Sequence, residues 1–100
     1  MNPETRTSER SSAFRPGFEL HPITARAAAA TPGRWRDAVV VSAHAEGTIE
    51  VADMFDGRIT RLWNYRDHSE LLATGEPVAV HDQYGVLAAG DLRVSVRVAV

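Results

Sequence analysis

The last ten residues, Asp91–Val100 (DLRVSVRVAV), decide the fold class of this chain. Leu92 and the four valines that follow it occupy alternate positions, and Arg93, Ser95 and Arg97 stand between them. Because successive side chains of a strand point to opposite faces, this alternation predicts a strand with one buried and one solvent-facing side. We therefore expect a mainly β domain whose final strand is Leu92–Val100.

From Trp35 onward, short apolar runs alternate with turn signals, which is the pattern of further short strands. Asp56-Gly57 is a hairpin signal because both residues tolerate a positive φ. Five to six short antiparallel strands in residues 35–100 predict a small SH3-like or OB-like barrel or roll, with a two-layer sandwich as the alternative. The expected strands are Trp35–Ala43, Gly47–Met54, Arg58–Tyr65, Glu76–His81, Tyr84–Ala89 and Leu92–Val100.

One short helical turn is expected between the third and fourth strands. Asp67 is followed by Glu70 three residues later and then by two leucines, which matches a capping box, and Gly75 closes the turn. The core of the barrel is expected to contain Val51, Leu62, Val80, Val94 and Val96.

Residues 1–34 differ from the rest of the chain, since they hold four of the five prolines and carry a net charge of +2. Ordering such a segment costs about 1–2 kcal/mol of backbone entropy per residue, with few large apolar groups to offset it. We predict a flexible arm over residues 1–34, disordered over 1–13, before a barrel domain at 35–100. Thr24–Ala30 favours a helical turn if something packs on it, and Phe14, Phe18, Leu20 and Ile23 are candidate anchors.

The composition excludes several kinds of chemistry. The 100 residues contain no cysteine and no lysine, since all eleven basic residues are arginine. Disulfides, thiolate catalysis, Schiff bases and lysine-borne groups are therefore excluded, and we expect no cofactor. No segment approaches the ~20 apolar residues of a membrane span, and the polar start of the chain lacks a signal-peptide core. We expect a cytoplasmic protein.

Candidate catalytic and metal-binding patterns are weak. The histidines at 21, 44, 68 and 81 match no zinc motif, so we expect exposed loop residues or one buried ring rather than a metal site. Ser42–Glu46 and Asp67–Glu70 contain the residue types of a nucleophilic triad. Adjacent strand residues point apart, however, and no nucleophile elbow is present. We predict that the protein is not an enzyme.

The segment Arg58–Arg66 interleaves three arginines with two aromatic residues. On an exposed sheet, such a surface would stack bases and pair phosphates of single-stranded nucleic acid. The alternative places Trp63 in the core with Ile59. Residues 35–100 carry a net charge of −4, which disfavours nucleic acid. Arg61 is expected to pair with Asp53 or Asp67. The candidate binding surface is Arg58, Arg61, Trp63, Tyr65 and Arg66.

The terminal strand also suggests an assembly edge formed by Val96, Val98 and Val100. An apolar strand without a charged residue at its end favours pairing with another chain. The predicted function is therefore non-enzymatic protein–protein interaction or homo-oligomeric assembly, with a twofold dimer as the default. The alternatives are a single-stranded nucleic-acid-binding module and a regulatory module that holds a small ligand in the barrel mouth.

Overall fold

The computed structural model describes residues 15–99, in which seven antiparallel strands form a nearly closed barrel. The predicted class, a small all-β barrel, is confirmed, although the sequence indicated five to six strands. Helix α1 (Pro22–Ala29) and a 3-10 turn (Pro32–Arg34) precede the barrel. The strand order is β6-β5-β4-β1-β2-β3-β7. The strands are β1 (Trp35–Ala43), β2 (Thr48–Asp53), β3 (Ile59–Trp63), β4 (Pro77–His81), β5 (Val86–Ala89), β6 (Leu92–Ser95) and β7 (Arg97–Val98).

The terminal segment closes the barrel by changing partner at Val96. β6 pairs with β5, whereas β7 pairs with β3 at the opposite end of the strand order. The amide of Val96 donates to the Gly85 carbonyl at 2.9 Å, and the amide of Ala99 donates to the Arg61 carbonyl at 2.8 Å. The prediction of one continuous strand was wrong, because alternation reports which face a residue occupies and not which strand it pairs with.

The five predicted core residues are all buried, so this prediction is confirmed. The bend at Val96 interrupts the alternation on either side of it. Ser95, assigned to the solvent face, is 6% exposed, and its hydroxyl accepts a hydrogen bond from the Gly17 amide at 3.1 Å. Val98, assigned to the buried face, is 64% exposed. The face assignment therefore fails at both of these positions.

Residues 15–34 pack against the barrel, and among the candidate anchors Phe18 docks on it, whereas Ile23 is 70% exposed. Phe18 stacks on Tyr65 with ring centroids 5.5 Å apart, and the Trp35 indole donates to the Ala28 carbonyl at 3.0 Å. The helix begins two residues earlier than expected, with the His21 ring accepting from the Ile23 amide at 3.0 Å. The predicted disorder of residues 1–13 and the anchor Phe14 lie outside the described residues.

Asp67 does not begin a helix. Its carboxylate accepts hydrogen bonds from the amide and the hydroxyl of Ser69, at 2.8 and 2.5 Å. The amide two residues on is one that an N-cap side chain satisfies, and the amides of Leu71 and Leu72 both donate to the His68 carbonyl at 3.0 Å. The predicted helical turn is therefore present as a single turn that does not extend into a helix. Leu72 is buried and holds the loop against the core.

The β2–β3 hairpin turns where the sequence predicted. Gly57 has a φ of +73°, as expected, and a Cβ there would meet nothing within 4 Å. Its amide donates to the Asp53 carbonyl at 2.8 Å, and the Asp53 amide donates to the Arg58 carbonyl at 2.9 Å. The residues between Asp53 and Arg58 form a short loop that projects from the barrel.

Two valines of the terminal segment provide a matched test of barrel closure. Val96→Asp places an unpaired charge in the core and should lower the free energy of unfolding by about 4 kcal/mol or more, which is comparable with the whole stability of a small domain. Val98→Asp should change it by less than about 1 kcal/mol, because that side chain faces solvent. Urea unfolding measures both values, and equal losses would contradict the division at Val96.

Candidate functional site

Three large apolar side chains are exposed together at the β2–β3 hairpin. Phe55 is 98% exposed, Met54 62% and Ile59 53%. We call these residues the apolar tip. A single exposed apolar residue is ordinary on a protein surface, but a cluster that includes an almost fully exposed aromatic ring is typical of an interaction site. The sequence contained the signal in Met54-Phe55, two apolar residues directly before the turn.

Asp53 fixes the conformation of the apolar tip. Its carboxylate accepts hydrogen bonds from the amides of Phe55 and Asp56, at 2.7 and 3.3 Å. Arg36 forms an ion pair with the same carboxylate at 3.0 Å. The Phe55 amide, followed by that of Asp56 and by the Arg36 charge, holds the pKa of Asp53 below its usual range despite some desolvation. The ring of Phe55 is thus presented by a turn that is already ordered.

Arg36 also belongs to the mouth of the barrel. Its Nε donates to Asp82 at 2.8 Å, so one guanidinium bridges two carboxylates. It borders a cavity of about 260 Å³ whose apolar wall includes Val80 and Val96. Under the predicted small-ligand alternative, the ligand would bind in this cavity. Its arginine is already paired with two carboxylates, so it offers little to select an anionic ligand.

The predicted Arg–aromatic surface is partly assembled. Trp63 is half-buried on the outer face of β3, and the Arg97 guanidinium lies 4.5 Å from its ring centroid. Arg66 lies over Tyr65 at 5.3 Å, and its Nε donates to the Tyr65 hydroxyl at 2.6 Å. Phe18 completes the group by edge contact with Trp63 and stacking on Tyr65. We call Phe18, Trp63, Tyr65, Arg66 and Arg97 the aromatic–arginine cluster.

Two predicted members of that surface lie elsewhere. Arg61 approaches Glu50 at 3.6 Å, rather than the predicted Asp53 or Asp67. Arg58 is at the hairpin end of β3, about 17 Å along the strand from Trp63. The alternative that placed Ile59 in the core is wrong, since Ile59 belongs to the apolar tip. Phe18 and Arg97 were not predicted as members of this surface, because they belong to segments that are distant in sequence from Arg58–Arg66.

The predicted assembly edge does not exist as a continuous surface. Val96 is in the core with 1% exposure, whereas Val98 is on the surface beside the barrel mouth. Val100 lies outside the described residues. β7 is also paired with β3 within the chain, which uses one side of its backbone.

Ser42, His44 and Glu50 meet on the outside of the barrel without forming a triad. The Ser42 hydroxyl donates to Glu50 at 2.7 Å, and the His44 Nε2 lies 3.1 Å from the same hydroxyl. Hydrogen bonding from Ser42 is the main cause that lowers the pKa of Glu50. In a catalytic triad the serine hydroxyl donates to the histidine, and the acid orients that histidine. Here the Ser42 hydroxyl donates to Glu50 instead, and Glu50 lies 3.8 Å from the His44 Nε2.

Two histidines are buried, His68 at 8% exposure and His81 at 0%, where the sequence predicted exposed loop residues or one buried ring; His81 is the more deeply buried of the two. Its Nδ1 accepts from the Tyr84 amide at 3.2 Å, and its Nε2 lies 2.7 Å from the Thr31 hydroxyl. Thr31 in turn donates to the Ala27 carbonyl at 2.9 Å, so the hydrogen bonds require a proton on Nε2 of His81. The ring links helix α1 to β4 and has a structural role.

A shallow cleft of about 280 Å³ separates helix α1 from the outer faces of β4 and β5. We call it the alanine cleft, because methyl groups form most of its walls. Small side chains leave space between the helix and the sheet that larger residues would fill. Arg93 stands at its rim. The alanines that line the cleft are Ala25, Ala28, Ala29, Ala79 and Ala88.

The chain matches no protein-family model, no curated protein and no solved structure. No helix within residues 15–99 is long and apolar enough to cross a membrane. The same residues contain no group of three or more histidine, aspartate or glutamate side chains placed to hold a metal ion.

The pH dependence of the tip follows from the pKa of Asp53. A carboxyl whose pKa is lowered by folding stabilises the folded state fully above its unfolded value, and this contribution is lost as the pH falls through the folded value. An NMR titration of the Asp53 carboxyl should therefore give a midpoint below about 3.9, with the Phe55 amide shifting in parallel.

Arg36→Met serves as the matched variant in that titration. It should raise the midpoint only partly, because the Phe55 amide is the larger cause of the lowered pKa. A wild-type midpoint at or above about 3.9, or no response of the Phe55 amide, would contradict this account of the tip.

Proposed function

We propose that this domain is a non-enzymatic protein-interaction module and that the apolar tip is its contact surface. The observation that carries the proposal is the ring of Phe55, which is 98% exposed on an ordered turn. Aromatic anchors dominate the energetics of many interfaces, and burying one phenylalanine contributes about 1.5–3 kcal/mol. Because Asp53 already orders the turn, less conformational entropy is lost on binding.

The apolar tip replaces the terminal strand as the proposed contact surface. That strand pairs within its own chain, so it offers less free backbone to a partner. The side chains of the apolar tip are then the stronger candidates for contact with a partner. Val98 is also exposed, but at a different place on the surface. A homo-oligomer and a different protein are both compatible partners. A cytoplasmic location stays a prediction.

Site-specific photo-cross-linking tests this proposal. We expect that p-benzoylphenylalanine in place of Phe55 gives one discrete protein adduct when the intact chain is irradiated in its cell. Irradiation of the pure chain at micromolar concentration then shows whether the partner is a second copy. Mass spectrometry then identifies the cross-linked peptide. The same substitution at Leu71 is the control, because Leu71 is also a large apolar residue, 62% exposed, but lies outside the tip.

A discrete adduct from position 55, absent from position 71, would support the interaction module. Weak and equal labelling at both positions would contradict it, because the tip would then behave as ordinary exposed surface.

Single-stranded nucleic-acid binding is the second candidate function. It is favoured by the aromatic–arginine cluster, where Arg97 and Arg66 lie over Trp63 and Tyr65. Cations beside aromatic rings can contact phosphates while bases stack nearby. Arg97 already lies over Trp63, however, and Arg66 and Phe18 lie against Tyr65. Bases would have to displace these contacts in order to stack on the rings.

Tryptophan fluorescence with oligouridylate at low and moderate salt measures this second function. Binding by the cluster should quench the emission, weaken steeply with salt and drop about tenfold in Arg97→Ala. Arg58→Ala should have a smaller effect, because Arg58 lies at the other end of β3. No salt-dependent quenching at low ionic strength would eliminate this candidate.

A further inference from the structure

The guanidinium of Arg93 is held in place with one edge free. Its Nη1 donates to the carbonyls of Gly90 and Leu92 at 2.6 and 2.9 Å, which uses both hydrogens of that nitrogen. The Nε and Nη2 groups have no hydrogen-bond partner within residues 15–99. These two neighbouring groups are the edge through which an arginine binds a carboxylate by two parallel hydrogen bonds. That edge is available to an anionic ligand.

The charge of Arg93 has no counter-charge in the part of the chain that the structure describes. The ion pairs found there all involve other cations. Asp91 is two residues away, and Glu19 lines the groove on the other side of Arg93, but neither forms an ion pair with it. Arg93 therefore provides a positioned positive charge that no described carboxylate neutralises.

Arg93 is also the one charged residue among the described residues that line the alanine cleft. The other walls are formed by the five alanines and by Leu20, Val86 and Trp35. The indole N–H of Trp35 already donates to the Ala28 carbonyl at 3.0 Å, so it is not free for a ligand. The described lining thus combines apolar surface with a single cation at the rim, which is the chemistry that recognises an amphipathic anion.

The alanine cleft is preformed, because helix α1 is attached to the barrel beside it. The indole of Trp35 holds the Ala28 carbonyl, and the Thr31 hydroxyl lies 2.7 Å from Nε2 of His81. Ala28 and Val86 are both 1% exposed, so helix and sheet already pack together at the inner end of the cleft. A ligand that enters a preformed site loses less of its binding free energy to ordering of the protein.

The volume of the alanine cleft limits the ligand to a short tail. At about 280 Å³ it is near the lower end of ligand sites, which are typically about 300–1,000 Å³. A methylene group is about as large as a water molecule, which takes about 30 Å³ of liquid, so the cleft has room for about nine carbon atoms.

We propose that the alanine cleft binds a small monocarboxylate with an unbranched tail of about eight carbons. The tail contacts the alanine methyl groups and the ring of Trp35, and Arg93 binds the carboxylate at the rim. The charged group stays next to solvent, so the site does not require burial of an ion. The cleft is separate from the apolar tip, and this inference does not depend on the proposed function.

Calorimetric titration of the full chain with sodium octanoate and with 1-octanol tests the site. The two probes share a tail, and only octanoate carries a charge. Octanoate should bind at least tenfold more tightly than octanol, because only the carboxylate forms charge-assisted hydrogen bonds with Arg93. Acetate, which lacks the tail, should not bind detectably.

Two variants separate the roles of charge and tail. Arg93→Gln should weaken octanoate binding at least tenfold and leave octanol binding within about threefold, which also shows that the variant is folded. Ala88→Leu fills the floor of the cleft and should weaken both probes at least tenfold. Arg58→Gln is the matched control, because it removes an exposed arginine outside the cleft and should leave both affinities unchanged.

NMR of the indole N–H groups locates the bound probe. Octanoate should shift the signal of Trp35 more than that of Trp63, which lies in the aromatic–arginine cluster. The site would be overturned by no octanoate binding at millimolar concentration, by equal affinity for octanol, or by a shift at Trp63 alone. Equal effects of Arg93→Gln and Arg58→Gln, loss of octanol binding in Arg93→Gln, or wild-type binding by Ala88→Leu would overturn it as well.

Discussion

The rest of the structure depends on the change of partner at Val96. One segment completes the sheet on both sides, with the amide of Val96 bonded to Gly85 and that of Ala99 bonded to Arg61. Closure encloses one small core, in which Leu62 of β3 and Leu87 of β5 belong to the same buried cluster. Barrel closure also uses backbone groups that would otherwise be free to pair with another chain. The proposed interaction function therefore rests on outward-facing side chains and loops.

The outer surface is divided by what the N-terminal segment covers. Helix α1 and the chain near Gly17 bury one row of outward residues, including His81 and Ser95. The next row is more open and contains, in order across the strands, Asp37, Ala79, Ala88 and Arg93. Phe18 packs into the aromatic–arginine cluster and reduces the area of ring available to a ligand. Tyr65 and Arg66 of this cluster line the same cavity as Arg93. Residues 15–34 thus determine which parts of the barrel are accessible.

The features that depend on neighbouring residues in the chain could be predicted from the sequence. Alternation identified Val51, Val94 and Val96 as core residues, the apolar run Val39–Val41 indicated β1, and Asp-Gly identified the turn at Gly57. These features depend on neighbouring residues, because face and backbone conformation are local properties. The change of partner at Val96 was not predictable, since pairing depends on residues that are distant in sequence. For the same reason only Trp63, Tyr65 and Arg66 of the predicted binding surface form one cluster. Phe55 escaped attention because exposure at a hairpin loop has no periodic signature.

Amide hydrogen exchange at a dilution where single chains dominate tests the closure of the barrel most directly. The Val96 and Ala99 amides should both be protected, because each donates to a strand on a different side of the sheet. Val94, which lies in β6 opposite Leu87, provides the internal reference for a paired strand. Exchange of Ala99 at the rate of an unstructured peptide, with Val94 still protected, would show that the terminal segment does not close the barrel.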